Sequence, residues 1–244
     1  MKGLIGRKIG MTQVFATDGE LIPVSVIEVG TNVVMQKKTV EKDGYSALQL
    51  GLEDVKESKA TKAAIGHAKK ADGKVKRYYR EIRSDEMANL EVGAQIKADL
   101  FAAGDVVDVT GTSKGKGYMG AVYRNNQTLG PETHGVGPIQ RQPGSMATIG
   151  RNNGIINKGR IMAGHEGVYT TTNQDLQVVA VDMENGCLLI RGNIPGPRKG
   201  LVMVRTTAKP IKHVQPKTLI SYAKAKAAEP AAAEAPAAEE TKEA

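Results

Sequence analysis

One segment of sixty residues, 111–170, restricts the fold more than any other part of the chain. It holds 13 of the 28 glycines and carries seven basic against two acidic side chains. Its apolar residues show no sustained amphipathic period, so it cannot bury enough apolar surface to offset its ordering entropy. A structureless loop of this length is rare inside a compact domain. The segment is therefore predicted to be a disordered linker or a part of the chain that another macromolecule orders.

The composition of this segment favours the second prediction. Linkers are usually rich in Ser, Pro or Glu, whereas here single Arg and Lys residues are spaced among Gly, Asn, Gln and His. Glycines remove side-chain bulk and let the backbone approach phosphate groups closely. The formal net charge of +8 is also concentrated, with +5 in residues 111–170, +4 in 171–222 and −2 in 223–244. A localised excess of positive charge indicates a polyanionic partner, most commonly nucleic acid.

The regions on either side of the segment are rich in predicted strands. Short strands recur about every ten residues, and Asp18-Gly19 and Asn185-Gly186 are hairpin signals. The strands before and after the segment are predicted to complete one barrel. Residues 58–71 are rich in Ala and Lys and predict a short surface helix broken at Gly66. The predicted organisation is a discontinuous β-barrel domain of residues 1–112 and 169–215, a long extended loop of 113–168, and a low-complexity, disordered tail of 216–244.

Several classes of protein are excluded. No stretch without a charged side chain exceeds nine residues, whereas a membrane span needs about 20 apolar residues. The amino terminus has no apolar core typical of a secretory signal. The single cysteine, Cys187, excludes a disulfide scaffold, and the four histidines lack metal-binding spacing. The sequence therefore predicts a cytoplasmic protein without a membrane segment or a metal site.

Two glycine motifs point weakly to a nucleotide-binding enzyme. Residues 115–120 match G-x-G-x-x-G, but a dinucleotide site also needs a long following helix and an acidic residue about 20 positions on. Residues 111–117 partly match the phosphate-binding loop motif G-x-x-x-x-G-K-[ST]. They have one residue too few before Gly-Lys, and no Ser or Thr follows the Lys. No catalytic residue is predicted. A nucleotide-binding enzyme and a free translation factor are the alternatives, although no complete GTP site is present.

Seven strings of residues resemble a known family over roughly residues 1–212. The chain resembles the bacterial form of the ribosomal protein L three family, the universal third protein of the large ribosomal subunit. The strings are GLIGRKIGMTQVF (3–15), IPVSVIEVG (22–30), DGYSALQLG (43–51), VDVTGTSKGKGYMGAVYR (107–124), RQPGS (141–145), KGRIMAGHEG (158–167) and NGCLLIRGNIPGPRKGLVMVR (185–205).

The resemblance implies a mainly β protein with few short helices. Its globular part would be a β-barrel of the kind found in translation elongation factors. Its long extension would thread between RNA helices and bring its tip near the peptidyl transferase centre. The implied role is to bind large-subunit RNA early in assembly beside neighbouring ribosomal proteins, without a membrane or a small-molecule substrate. No cofactor is implied, and structural Mg²⁺ would belong to the surrounding RNA.

Charge pattern and resemblance together predict a set of RNA-contacting residues in the extension, at its base and at the amino terminus. For His134 and His165, a solvated loop histidine is an equally good interpretation. The predicted residues are Lys2, Arg7, Lys8, Lys114, Lys116, Arg124, His134, Arg141, Arg151, Asn152, Asn153, Lys158, Arg160, His165, Arg198 and Lys199.

Two parts of the chain depart from the family pattern. The predicted tip, residues 146–157, differs from the usual sequence. Arg151 stands near the position where some members carry a methylated Gln, so the sequence gives no basis for that modification. The tail after about residue 216 extends beyond the usual end of the family. The resemblance implies nothing about this tail.

Overall fold

The structure is a computed structural model that describes residues 1–71, 73–84, 86–87, 89–146, 155–211 and 213–220. Within these residues the chain forms twelve strands and three short α-helices. The helices are α1 (Val40–Asp43), α2 (Lys62–Ala68) and α3 (Ala121–Asn125). The strands are β1 (Gly3–Phe15), β2 (Leu21–Glu28), β3 (Asn32–Lys38), β4 (Ala47–Asp54), β5 (Lys76–Ile82), β6 (Gln95–Ile96), β7 (Val106–Thr112), β8 (Gly117–Met119), β9 (Gly164–Glu166), β10 (Thr170–Asp182), β11 (Cys187–Arg191) and β12 (Leu201–Thr206).

Six of the described strands close into a barrel in the order β1-β12-β7-β10-β11-β2, and all neighbouring pairs are antiparallel. Both predicted hairpins are present, because β1 and β2 join through Asp18-Gly19 and β10 and β11 through Asn185-Gly186. Alternate side chains point inwards, and Val109, Leu188 and Val204 are fully buried in the barrel. The prediction of a mainly β fold with a barrel is therefore confirmed.

The remaining strands of the first half do not enter the barrel. Strands β3 to β6 form a separate four-stranded sheet in the order β5-β4-β3-β6, so the expectation that all flanking strands build one barrel is wrong for them. The sheet packs on the outside of β1 and β12 through Ile5, Leu50 and Met203. Buried Asn32 joins the two units, since its amide accepts from the Ile5 N–H at 3.1 Å and donates to the Ile5 carbonyl at 2.9 Å.

Helix α2 covers one face of this second sheet. Ala68 is buried against Val33, Met35 and Val75, and the Thr61 hydroxyl accepts a hydrogen bond from the Ala64 N–H at the start of the helix. The predicted break at Gly66 is wrong, because the helix continues through it to Ala68. The apolar contacts of the helix offset the low helix propensity of a single glycine.

The start of the predicted tail lies on the barrel. Leu219 forms a bridge with Ala16, and the Ile220 N–H donates to the Phe15 carbonyl at 3.0 Å. Lys217 forms ion pairs with Asp18 and Glu20. Residues 216–220 thus contact the barrel because Leu219 packs beside the apolar strand ends. The rest of the predicted tail, 221–244, lies outside the described residues.

Candidate nucleic-acid interface

The extension leaves the barrel between two neighbouring strands. Its limbs continue from β7 and β10, which pair from Thr112 and Thr170 onwards. They then form a short ladder, in which β8 pairs with β9 and the Lys116 N–H donates to the Glu166 carbonyl at 2.8 Å. At the turn into the barrel, Gly167 has a φ of +83°, and a side chain there would overlap the Lys114 carbonyl. The root of the extension is therefore fixed by backbone pairing.

Helix α3 fastens one limb of the extension to the other. The Arg124 guanidinium donates to the Met162 carbonyl at 3.3 Å, and its Nε lies 3.8 Å from the Glu166 carboxylate. The Asn125 side-chain amide also donates to the Met162 carbonyl at 3.3 Å. Gly164 leaves space for this arrangement, because a Cβ there would stand 2.6 Å from the Arg124 guanidinium. Arg124 thus has a structural role inside the extension.

Further along, the extension exposes both its charged and its apolar side chains. Arg141 and Lys158 are exposed, and Arg160 donates to the Ser145 carbonyl at 3.0 Å while it stays open to solvent. Ile139 and Ile161 are also exposed. No described residue of 113–168 belongs to any of the four hydrophobic clusters. Among the described residues of the extension, Ala121 and Val122 of α3 are the only buried apolar side chains.

A basic patch lies at the root of the extension. Residues 112–115 and Val168 line a groove with Pro197, Gly200 and Leu201, so the exposed side chains of Lys114, Arg198 and Lys199 share this end of the barrel. The loop that carries Arg198 and Lys199 is held by a hydrogen bond from the Lys199 N–H to the Lys8 carbonyl at 2.7 Å.

Lys8 lies under this patch and contacts the protein itself. Its side chain is buried, and its ammonium donates to the Ile194 carbonyl at 2.6 Å. Burial lowers the pKa of Lys8, and the nearby charge of Lys114 lowers it further. The sequence carried a signal for this position, because Leu4, Gly6 and Lys8 alternate along β1 and therefore share its inward face.

Arg7 is also engaged within the protein. Its guanidinium forms an ion pair with Glu53 and donates to the Tyr78 hydroxyl at 3.0 Å. It also stands 5.4 Å from the centre of the Tyr78 ring, in a cation–π contact. Arg7 therefore joins the barrel to the second sheet. Lys2, just before the same strand, is exposed.

The structure divides the predicted RNA-contacting residues into three groups. Three are engaged in contacts inside the protein: Arg7, Lys8 and Arg124. Three lie outside the described residues: Arg151, Asn152 and Asn153. The others are exposed: Lys2, Lys114, Lys116, His134, Arg141, Lys158, Arg160, His165, Arg198 and Lys199.

The glycine motifs do not form a nucleotide site. Residues 115–120 lie on β8 and its approach, and the helix that follows, α3, has only five residues. A dinucleotide site needs a strand, a tight turn and a long helix in that order. In the described ranges, no group of three or more His, Cys, Asp and Glu side chains is placed to hold a metal ion. Among the helices described, none has the length and apolarity needed to span a bilayer.

Comparison with known proteins decides the family. A family model described as Ribosomal protein L3 matches residues 83–187. A Large ribosomal subunit protein uL3 of Geobacillus sp. (strain WCH70) is 54% identical over 208 residues, which cover 85% of this chain and 97% of that protein. The chain belongs to the ribosomal protein L3 family. This is a family of structural proteins, not of enzymes.

Other members of the L3 family show similar coverage. The Large ribosomal subunit protein uL3 of Lacticaseibacillus casei (strain BL23) is 51% identical over 211 residues, 86% of this chain and 99% of that protein. The protein of the same name from Geobacillus stearothermophilus is 52% identical over 208 residues, 85% of this chain and 96% of that protein. The similarity to the L3 family therefore includes both the barrel and the extension.

Proposed function

We propose that the chain is a structural component of the large ribosomal subunit. In this role it binds large-subunit RNA, supports early assembly of the subunit and stabilises RNA near the peptidyl transferase centre through its extension. Membership of the L3 family supports the proposal, since its similar relatives are named as large-subunit proteins. The extension carries the argument, because five of the six lysines and arginines on its described residues are exposed and none of those residues belongs to a hydrophobic cluster.

The extension would act by neutralising RNA phosphates. Arg141, Lys158 and Arg160 are exposed along it, and cationic side chains of this kind reduce the repulsion between RNA helices packed together. An RNA helix offers mainly its shape, its phosphates and its 2′-hydroxyls, which suits Lys, Arg, Asn and backbone N–H groups. The chain has only 4% aromatic residues, so stacking of single-stranded bases contributes little.

The basic patch would hold RNA where the extension begins. Lys114, Arg198 and Lys199 are exposed around the groove at the root of the extension, and the ladder of β8 and β9 begins just beyond Lys114. This ladder fixes the direction in which the extension leaves the barrel. Binding at the patch would therefore orient the extension relative to the RNA as well as add affinity.

In the proposed role the protein acts on the ribosome in the cytoplasm, and its partners are large-subunit RNA and neighbouring ribosomal proteins. It takes no small-molecule substrate and has no cofactor of its own. Structural Mg²⁺ at its surface would belong to the RNA.

Sedimentation of the tagged full chain tests the proposal. Lysates are separated on gradients at low and at high salt, and the protein is quantified against large subunits. We expect it to remain one-to-one with large subunits through high salt, because an extension buried among RNA helices cannot dissociate like a surface contact. Release at high salt would contradict an integral structural role.

A further inference from the structure

Helix α2 and the turn that ends it expose three lysines around a glycine. Lys62 and Gly66 lie in α2, whereas Lys69 caps its end and Lys70 lies in the turn that follows. The Lys69 N–H donates to the Ile65 carbonyl at 3.0 Å, so the backbone keeps a helical path past Ala68, and at intervals of four residues Lys62, Gly66 and Lys70 lie on one side of it. All four are exposed. Residues 56–70 hold five lysines and a single acidic residue, Glu57. We call Lys62, Gly66, Lys69 and Lys70 the α2 lysine face.

The opposite side of α2 is anchored to the second sheet. Ala68 is buried in a cluster with residues of β3. The His67 ring nitrogen Nε2 lies 2.9 Å from the Gln49 side-chain oxygen, and the His67 ring meets Tyr79 edge-on at 5.8 Å. These contacts fix the rotation of the helix. The α2 lysine face is therefore held away from the sheet by the fold.

The lysines of this face have no carboxylate partner in the described part of the chain. Lys76, close by in the sequence, pairs with Asp54 at 2.6 Å, and Lys38 pairs with Glu81 at 3.0 Å. No such pair forms at Lys62, Lys69 or Lys70 among the described residues. The face thus presents three uncompensated positive charges within about two helical turns.

Gly66 gives an independent sign that something approaches this face. A glycine inside a helix is destabilising relative to alanine. A Cβ at Gly66 would meet nothing within 4 Å, and no positive φ is present there, so neither packing nor backbone conformation requires glycine. A position without a side chain lets an outside group come close to the backbone of the helix.

We propose that the α2 lysine face is a second RNA contact, separate from the extension. It binds the sugar-phosphate backbone of a helical RNA segment, and Gly66 lies at the point of closest approach. The inference rests on the proposed function, because it assumes that the chain binds RNA. Charge complementarity selects a polyanion. The lack of any aromatic residue on the face selects the backbone of a helix over single-stranded bases, which stack on aromatic rings.

The charge prediction is tested with the full chain and a transcript of large-subunit RNA, by filter binding across a salt series. The test variant combines Lys62→Gln, Lys69→Gln and Lys70→Gln. The matched control combines Lys37→Gln, Lys42→Gln and Lys97→Gln, which removes the same charge from other exposed positions. Each phosphate contact contributes about 0.7 to 0.9 to the slope of log affinity against log salt concentration. We therefore expect the loss of three contacts to make the slope of the test variant shallower by about 2 to 3. The control should keep the slope of the wild type.

The close approach is tested without changing the charge. Gly66→Ala and Gly66→Leu should fold with melting temperatures equal to or above that of the wild type, because the position has open space. They should nevertheless bind the transcript more weakly, with the larger loss for leucine. Ala102→Leu, at an exposed site away from α2, serves as the control for added bulk and should bind normally.

Two results would overturn the inference. Equal salt slopes for the test and control triple variants, together with normal binding by Gly66→Leu, would show that no RNA lies on this face. The proposed function would survive that result if Arg141→Gln combined with Lys158→Gln still weakened binding. Failure of the wild type itself to bind the transcript would instead remove the proposed function, and the inference with it.

Discussion

The barrel buries its large apolar side chains, whereas the extension exposes most of its own. In the barrel, Leu188 and Val204 are 0% exposed and belong to the same hydrophobic cluster. In the extension, Ile139 is 58% exposed and Ile161 is 49% exposed. Burial of apolar surface is the main force that stabilises a folded domain. The barrel is therefore stabilised by its own core, whereas the described part of the extension is held by backbone pairing at its root and by the contacts of α3.

This contrast explains why the two regions use their basic residues differently. At the barrel, Lys8 and Arg7 bind carbonyl and carboxylate groups of the protein. In the extension, Arg141 and Lys158 are exposed. A buried cation needs partners within the fold because its desolvation is costly, while an exposed cation remains available for RNA. Burial, rather than charge alone, separates the basic residues that hold the fold together from those that remain available to the proposed RNA partner.

Removal of apolar side chains should give the largest difference between the regions. Leu188→Ala should lower the free energy of unfolding by about 2–5 kcal/mol, because it leaves a cavity in the barrel. Ile139→Ala should change it by less than about 0.5 kcal/mol, as at most surface positions. Denaturant unfolding of the purified proteins measures both. Equal destabilisation by the two variants would mean that the extension has a core of its own.

Substitution of Lys8 tests whether this buried lysine stabilises the fold or contacts RNA, as its place in a basic cluster suggested. Lys8→Ala should destabilise the chain by about 1–3 kcal/mol, because the buried Ile194 carbonyl loses its donor. Lys114→Ala, at an exposed neighbouring lysine, should leave stability nearly unchanged and weaken RNA binding instead. Thermal unfolding and filter binding on both variants separate the two effects. If Lys8→Ala were stable but bound RNA poorly, Lys8 would be an RNA contact, as its sequence position suggested.

Two of the exposed cations of the extension, Arg141 and Lys158, should contribute to RNA binding and not to stability. Combining Arg141→Gln with Lys158→Gln should make the salt slope shallower by about 1.5, and weaken binding by about tenfold at moderate salt. The melting temperature should not change. The same double variant with a lower melting temperature and an unchanged slope would place these residues among the structural ones.

An ion pair of the second sheet should give the smallest effect. Lys38 and Tyr45 hydrogen-bond to the Glu81 carboxylate and hold its pKa below the ordinary value. A lowered folded-state pKa stabilises the protein above the ordinary carboxyl pKa, and this contribution is lost as pH falls through the folded-state value. Unfolding midpoints of wild type and Glu81→Gln should therefore converge as the solution is acidified below about pH 4.5. A gap that widens with acid would contradict the pairing.

Local signals predicted the local parts of the fold. The two hairpins at Asp18-Gly19 and Asn185-Gly186 follow from turn chemistry that involves only neighbouring residues. Helix α2 was predicted from its composition, but the break at Gly66 was not found, since packing of Ala68 and its neighbours supports the helix. Strand β1 continues from Gly3 to Phe15 through an irregular register between Lys8 and Gly10, which no local signal indicated.

Predictions of individual RNA contacts depended on exposure, which the charge pattern alone does not contain. Arg7 was predicted from its place in a basic cluster, yet Glu53 and Tyr78 occupy its guanidinium. The α2 lysine face was not predicted as a site at all. Its signal was present in the sequence as lysines at helical spacing around a glycine, but only the anchored side of α2 shows which way they point.

By itself, the sequence determined the β class, the local hairpins and a basic, glycine-rich extension that cannot form a core. It also carried the motifs that belong to the L3 family. Tertiary structure alone decided that β1 pairs with β12 to close the barrel, that β3 to β6 form a separate sheet, and that Lys8 is buried. The physical reason is the separation along the chain of the residues that interact. Turns and composition act between neighbours along the chain, whereas strand pairing and burial depend on contacts between residues far apart in sequence.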